Sequence, residues 1–382
     1  MRKFFLMKIK SIFCLVALLC AFAFVHAQED ISKLDKNFAV KKVGNLDVVY
    51  HDALSAPFVL EGFPFWKKGE PLRRLPSYIK PEDISQGVYS LANHTAGGVI
   101  RFRSNSPYLT IRARIGNRTP SMGHMPATGS SGFDLISADG THITTVNPMH
   151  YKREIPDPLE VLMTKNNPKE MRDYTLYLPL YNSVKSVEIG IAPNAKIEAP
   201  TPHKVKKPIV FYGSSITHGA CASRTSLPYP ALVCRDVDAP MVNLGFSGNA
   251  KGEPKMAELI ASLDMSVFVY DYDYNAPTAE HLAKTHEPFF KIIRKAQPNL
   301  PIIMLSRVSH AQDARANIVK QTYENAKKAG DKNVWFIDGR DLFKDVPFAL
   351  LTVDKCHPND LGFYLMYKNV MPAIKEALKK SK

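Results

Sequence analysis

Five short apolar runs in the second half of the chain, at residues 209–212, 241–244, 267–271, 302–305 and 334–337, are each followed by a stretch long enough to hold a helix. Apolar runs without polar alternation suit strands that are covered on both faces. Their spacing restricts this half to right-handed βαβ units around a parallel sheet, with 254–263, 279–295, 314–329 and 360–378 as the covering helices. Residues 47–192 keep a different rhythm. Segments 99–103 and 109–114 alternate apolar with polar or charged residues, 133–136 and 142–146 flank an Asp139-Gly140 turn as a hairpin would, and 174–178 and 184–191 add two more strands. This part reads as an antiparallel β-sandwich of jelly-roll type. Between the halves, 199–208 carries three prolines and three lysines and reads as a linker. The expected organisation is therefore a β domain over 28–198, a linker over 199–208 and an α/β domain over 209–382.

Residues 1–27 are set apart from the fold. Arg2, Lys3, Lys8 and Lys10 form a basic start, 12–25 an apolar core, and Val25-His26-Ala27 a small-residue cleavage site, the pattern of a signal peptide cut near Ala27. Cys14 and Cys20 lie inside the apolar core, but the bulky Phe13 and Leu19 before them do not suit a lipoprotein site. The expectation is an exported protein, periplasmic or extracellular, with no membrane span after cleavage. Removing the four basic residues of the signal lowers the formal net charge from +14 to +10 (14 minus 4). These charges are dispersed and no nucleic-acid-binding module accompanies them, so no nucleic-acid partner is expected. The mature chain holds Cys221, Cys234 and Cys356. One bridge plus a free thiol is one account of them, and three small buried residues is the simpler one.

The chemistry gathers at strand ends. The run 209–212 leads into Gly213-Ser214-Ser215-Ile216-Thr217-His218-Gly219, which places a serine where open α/β sheets hold their ligands. A serine hydroxyl needs a base to take its proton, and the base works best when a third group fixes its tautomer. Asp354 and His357, three residues apart just before the last helix, supply that pair. Acyl transfer also builds negative charge on the former carbonyl oxygen and needs donors aimed at it. Gly248, after the second strand, has no Cβ to block its N–H; Asn275, after the third, offers an amide; the Ser215 N–H makes a third donor.

The order Ser215, Gly248, Asn275, then Asp354 and His357, resembles the signature blocks of the SGNH or GDSL hydrolases over roughly residues 208–380. The resemblance implies a flavodoxin-like, five-stranded parallel sheet in an α/β/α arrangement. It also implies Ser215 as nucleophile, His357 and Asp354 as base and acid, and Ser215, Gly248 and Asn275 as the oxyanion hole, with no cofactor. The usual Gly-Asp-Ser is here Gly213-Ser214-Ser215, and the usual Gly-x-Asn-Asp is Asp273-Tyr274-Asn275-Ala276. Tyr272 and Tyr274 replace small residues and are expected to give the site an aromatic, substrate-binding wall. Gly132-Phe133-Asp134-Leu135-Ile136 resembles the Gly-x-Asp-Leu-Tyr signature of domains that precede such esterases, and 179–185 supports the same order. The arrangement is similar to two-domain carbohydrate esterases, which implies an acylated glycan as substrate. An acyltransferase, a lipase or thioesterase, and a non-catalytic glycan binder remain alternatives on the same scaffold.

Other polar residues have plainer readings. His281 and His286 suit a surface or packing pair on a helix, and no metal signature is present. Arg307 suits a substrate anchor or a structural ion pair, and Asp134 a turn or an interface.

Overall fold

A computed structural model describes residues 40–120, 122–149, 154–308 and 314–381; the expected signal peptide lies outside the described residues. The second half forms a five-stranded parallel sheet from Ile209–Gly213, Met241–Gly245, Val267–Asp271, Ile302–Leu305 and Val334–Ile337. In space the second strand lies at one edge, followed by the first, third, fourth and fifth. The first four strands are buried at every position, as their continuous apolar character requires, and only the outer fifth is half-buried. Helices Pro254–Ala261, Ala279–Ala296, Ala314–Lys328 and Asp360–Lys380 cover it, and a further helix, Tyr229–Val237, was not marked by the sequence. The register pairs Gly213 with both Gly245 and Asp271. Three strands thus end level, at the place where the strand order reverses, and the loops that leave them meet.

The first half is a sandwich of two antiparallel sheets, five and six strands in size. Each sequence-marked strand is present, including the Phe133–Ser137 and His142–Val146 hairpin, and Leu46–Asp52 and Leu159–Lys165 join them. Phe102, Phe133, Leu135, Tyr174 and Leu176 fill the space between the sheets.

The two halves share more than a connection. Leu75, Ile79, Ile84, Val88 and Ala92 pack in one cluster with Val210, Tyr212, Leu244 and Phe246, so a segment of the first half covers part of the parallel sheet. From that segment Arg74, fully buried, donates to the carbonyls of Asn243 (3.0 Å), Gly245 (2.7 Å) and Leu91 (2.8 Å), with its guanidinium 4.7 Å from the Phe246 ring. The edge strand Met241–Gly245 has carbonyls with no neighbouring strand to bond, and Arg74 satisfies two of them. The stretch 199–208 is likewise tied down. Thr201 donates twice to Asp173, Arg101 donates to the Thr201 carbonyl, and His203 pairs with Asp238 (2.7 Å) and Glu61 (3.0 Å). Its prolines rule out a ladder but leave the carbonyls and side chains free for these contacts.

Candidate active site

Ser215 opens the short helix Ser215–His218, directly after the first parallel strand. Ser214 caps it by accepting the Ile216 N–H at 3.2 Å, and Gly219 ends it in the left-handed conformation, φ +108°. The turn is buried, with Ser215 only 7 % exposed. Beneath it the Asp271 carboxylate, at the end of the third strand, accepts from the Thr217 hydroxyl, from the Tyr229 hydroxyl (2.9 Å) and from the Ser214 N–H. Burial pushes this carboxyl up to about 7, against the three hydrogen bonds. None of these partners is near Asp271 in sequence, which is why sequence reasoning missed it.

His357 arrives from the far end of the chain. Its Nε2 lies 2.8 Å from Ser215 Oγ and its Nδ1 2.7 Å from Asp354 Oδ2. The turn that holds it is tight: Asp354 Oδ1 accepts the N–H groups of Cys356 (3.1 Å) and His357 (2.8 Å), Lys355 sits at φ +66°, and the Val353 N–H closes on the His357 carbonyl. Asp360, one turn further, accepts from the Ser223 N–H (2.8 Å) and hydroxyl (2.5 Å) and so fastens the last helix to the loop behind Ser215. Asp354 is held below the ordinary carboxylate value; its partial burial opposes this, and the donors from His357 and Cys356 outweigh it. His357 is raised to about 9, first by its hydrogen bond to Cys356 and then by Asp354, with burial acting the other way. Ser215, His357 and Asp354 therefore form one hydrogen-bonded chain, able to pass a proton from hydroxyl to imidazole and to support the imidazolium that results.

Gly248 is exposed on the loop after the second strand, and its φ of +69° is the reason for glycine there, since a Cβ would meet nothing. The Asn275 side chain donates to the Phe246 carbonyl at 2.9 Å, which fixes the plane of its amide and leaves the second N–H uncommitted. Behind this loop His218 Nε2 donates to the Leu180 carbonyl (2.7 Å), its Nδ1 accepts the Ser247 N–H (3.4 Å), and Tyr181 stacks on its ring at 4.1 Å. Burial pushes His218 well below its ordinary value, so the neutral tautomer that these bonds require is the stable one. The 179–185 segment thus bears on the site through Leu180 and Tyr181.

The two tyrosines part company. Tyr272 is 1 % exposed, donates or accepts with Thr285 at 2.8 Å and lies among Tyr212, Tyr270, His286 and Phe289. It is core, not cleft wall: a strand buried on both faces gives no polar side from which to read the direction of the residue after it. Tyr274 is half-buried at the site, with Arg307 5.1 Å from its ring and its hydroxyl paired to Cys356. His286 is buried and stacks on Tyr270 at 4.6 Å, a packing residue. Asp134 reaches the interface: fully buried, it accepts from Thr145 (2.9 Å), from His142 (2.8 Å) and, across to the other half, from the Ser226 hydroxyl. Cys221, Cys234 and Cys356 are all free thiols; the first two are buried, and Cys356 is half-exposed beside His357. His124, on a loop of the β-sandwich half, brings its ring to 5.8 Å from that of His357, a contact with no sequence signal.

Two family models match the chain. That of the GDSL-like lipase/acylhydrolase family covers residues 206–375, and that of the N-terminus of SGNH-hydrolase-type esterases, GxDLY, covers 48–197. Among solved structures, a putative GDSL-like lipase from Bacteroides ovatus is 29% identical with a TM-score of 0.76, over 87% of this chain and 98% of that one. The fold is also that of the salicylyl-acyltransferase SsfX3 from a tetracycline biosynthetic pathway (20% identity, TM-score 0.73, 86% and 96% covered). The acetyl xylan esterase Est2A from the rumen bacterium Butyrivibrio proteoclasticus shares it more distantly (12% identity, TM-score 0.57, 87% and 99% covered). No curated protein matches the chain. With a GxDLY region leading into a GDSL-like region, and with that region's parallel sheet carrying its serine at the strand ends, the chain belongs to the SGNH, or GDSL-like, hydrolases and is a carboxylic ester hydrolase.

Proposed function

We propose that the protein is an exported serine esterase that removes acetyl or similarly short acyl groups from a polysaccharide or its oligosaccharides. The observation that carries the reading is the hydrogen-bonded chain from Ser215 through His357 to Asp354 at the strand-order reversal. Ser215 Oγ attacks the ester carbonyl as His357 Nε2 takes its proton, and the N–H groups of Ser215 and Gly248 with the Asn275 amide receive the oxyanion. His357 returns the proton to the leaving sugar oxygen, and water then releases the acyl group by the same steps in reverse. Asp354 holds the imidazole tautomer throughout. The glycan is favoured by the two-part organisation, shared with the family two carbohydrate esterase from Clostridium thermocellum solved with cellohexaose (15% identity, TM-score 0.55). Export rests on the 1–27 pattern.

The test is acetate release from acetylated xylan, pectin and a small acetyl ester, by the mature protein and by Ser215→Ala. Release from glycan that drops by about 10⁴-fold or more in the variant supports the reading. Turnover unchanged in Ser215→Ala ends the assignment of Ser215, and turnover of long-chain esters in preference to acetyl esters ends the choice of acyl group.

A further inference from the structure

One donor set at the site joins His357 to two side chains, His124 and Cys221, that have no part in ester hydrolysis. A nitrogen of His124, the sulfur of Cys221 and a nitrogen of His357 all lie within 4.8 Å of one another. His124 comes from the β-sandwich half, where Met122 and Met125 anchor its loop on the core beneath the parallel sheet, and it is exposed. Cys221 is buried and sits at φ +70°, a conformation unusual for a side chain with a Cβ and one that packing must hold. Two imidazoles and a thiol are the donors that zinc-class divalent ions prefer, and hard ions such as magnesium do not. In a tetrahedral zinc site the donors stand about 3.3–3.8 Å apart, so no pair of the set has to close by more than about 1.5 Å. His357 is also prepared for a metal by its other nitrogen. Metal-bound histidines characteristically give their second ring nitrogen to a carboxylate, as His357 Nδ1 does to Asp354 at 2.7 Å.

We propose that a zinc-class divalent ion binds at His124, Cys221 and His357, across the two halves of the molecule, and silences the esterase by taking Nε2 from Ser215. The Cys221 S–H bond is replaced by a sulfur–metal bond, His357 exchanges its hydrogen bond to Ser215 Oγ for a nitrogen–metal bond, and the Cys221 proton, with any proton on Nε2, passes to solvent. No electrons are transferred, and a chelator reverses the change. The silencing depends on His357 serving as base for Ser215; the metal site itself does not.

The test separates the two. Cobalt(II) added to the chelator-treated full mature chain should give a near-ultraviolet thiolate-to-cobalt absorption band, which Cys221→Ser abolishes and Cys356→Ser retains. Zinc(II) at micromolar levels should inhibit hydrolysis of a small acetyl ester, magnesium(II) should not, and a chelator should restore the rate. His124→Ala, on an exposed loop and judged against its own metal-free rate, should raise the zinc concentration for half-inhibition about tenfold or more. A cobalt band that survives Cys221→Ser and vanishes in Cys356→Ser would assign the metal to the neighbouring Asp354, Cys356 and His357 instead, and overturn the proposal. Zinc inhibition unmoved by His124→Ala, or equalled by magnesium, overturns it as well. The spectroscopic result stands even if no ester is turned over.

Discussion

Asp271 lies beneath the Ser215 turn with three donors on it and almost no exposure, so its proton is tied to folding. Its folded-state value, about 7, is above the ordinary 3.8. Below about pH 4 the carboxyl is neutral in both states and no penalty arises. As pH rises toward 7 the unfolded chain ionises while the folded one keeps its proton, and stability falls; above 7 the loss is complete. Asp271→Asn removes this slope. Between pH 5 and pH 8, unfolding free energies from urea titration should shift in the variant's favour by about 2–4 kcal/mol relative to the parent; parallel curves would mean that Asp271 stays ionised. Asn275 tests the oxyanion side: Asn275→Ala should lower kcat by about 10²–10³-fold with little change in KM, and a fall confined to KM would assign it to ground-state binding. That Ser215, Asp354 and His357 meet was legible because each stands in a short local motif beside a strand end or a helix start. Asp271, Arg74 and His124 were not, since they depend on partners far along the chain: Tyr229 is 42 positions from Asp271, Asn243 169 from Arg74 and His357 233 (357 minus 124) from His124.

At the scale of elements, the hairpin Phe133–Ser137 and His142–Val146 acts as a strut. Gly132 lets it start close to the backbone, since a Cβ there would stand 2.4 Å from the Thr128 carbonyl and 2.6 Å from that of Val146. Asp134 then reaches Ser226 in the loop that follows the helix Ser215–His218, with Arg224 3.8 Å away. Asp134→Ala leaves two hydroxyls and an imidazole without their acceptor and should cost about 2–4 kcal/mol of stability. It should also slow turnover more than Thr145→Val, which removes one donor within the hairpin and leaves the crossing to Ser226 in place. Equal effects of the two on turnover would mean that the strut does not bear on the site. The hairpin itself was readable from its Asp139-Gly140 turn; the direction in which Asp134 points was not, because every residue of Phe133–Ser137 is buried and alternation is lost.

Across the whole molecule, the apparent division into two halves in the sequence does not carry over to packing. The segment holding Arg74, Leu75 and Val88 belongs by sequence to the first half and by contact to the parallel sheet. Calorimetry of the protein should therefore show one cooperative transition rather than two. Arg74→Leu, which strands the carbonyls of Asn243, Gly245 and Leu91, should lower that transition by several kcal/mol without splitting it. Two separated transitions in the parent would show that the shared cluster contributes little. The composition shift at 199–208 marked where the fold changes type, but the contacts of Thr201 and His203 join Asp173, Glu61 and Asp238 from both sides of it.

Ser215 and His357 stand 142 positions apart, one in the first loop of the parallel sheet and the other just ahead of the last helix. During synthesis Ser215 therefore emerges 142 residues before His357, and Asp360, whose carboxylate clasps Ser223, follows both. Until His357 has emerged and folded back, the nascent polypeptide lacks the hydrogen-bonded chain that joins Ser215 to Asp354.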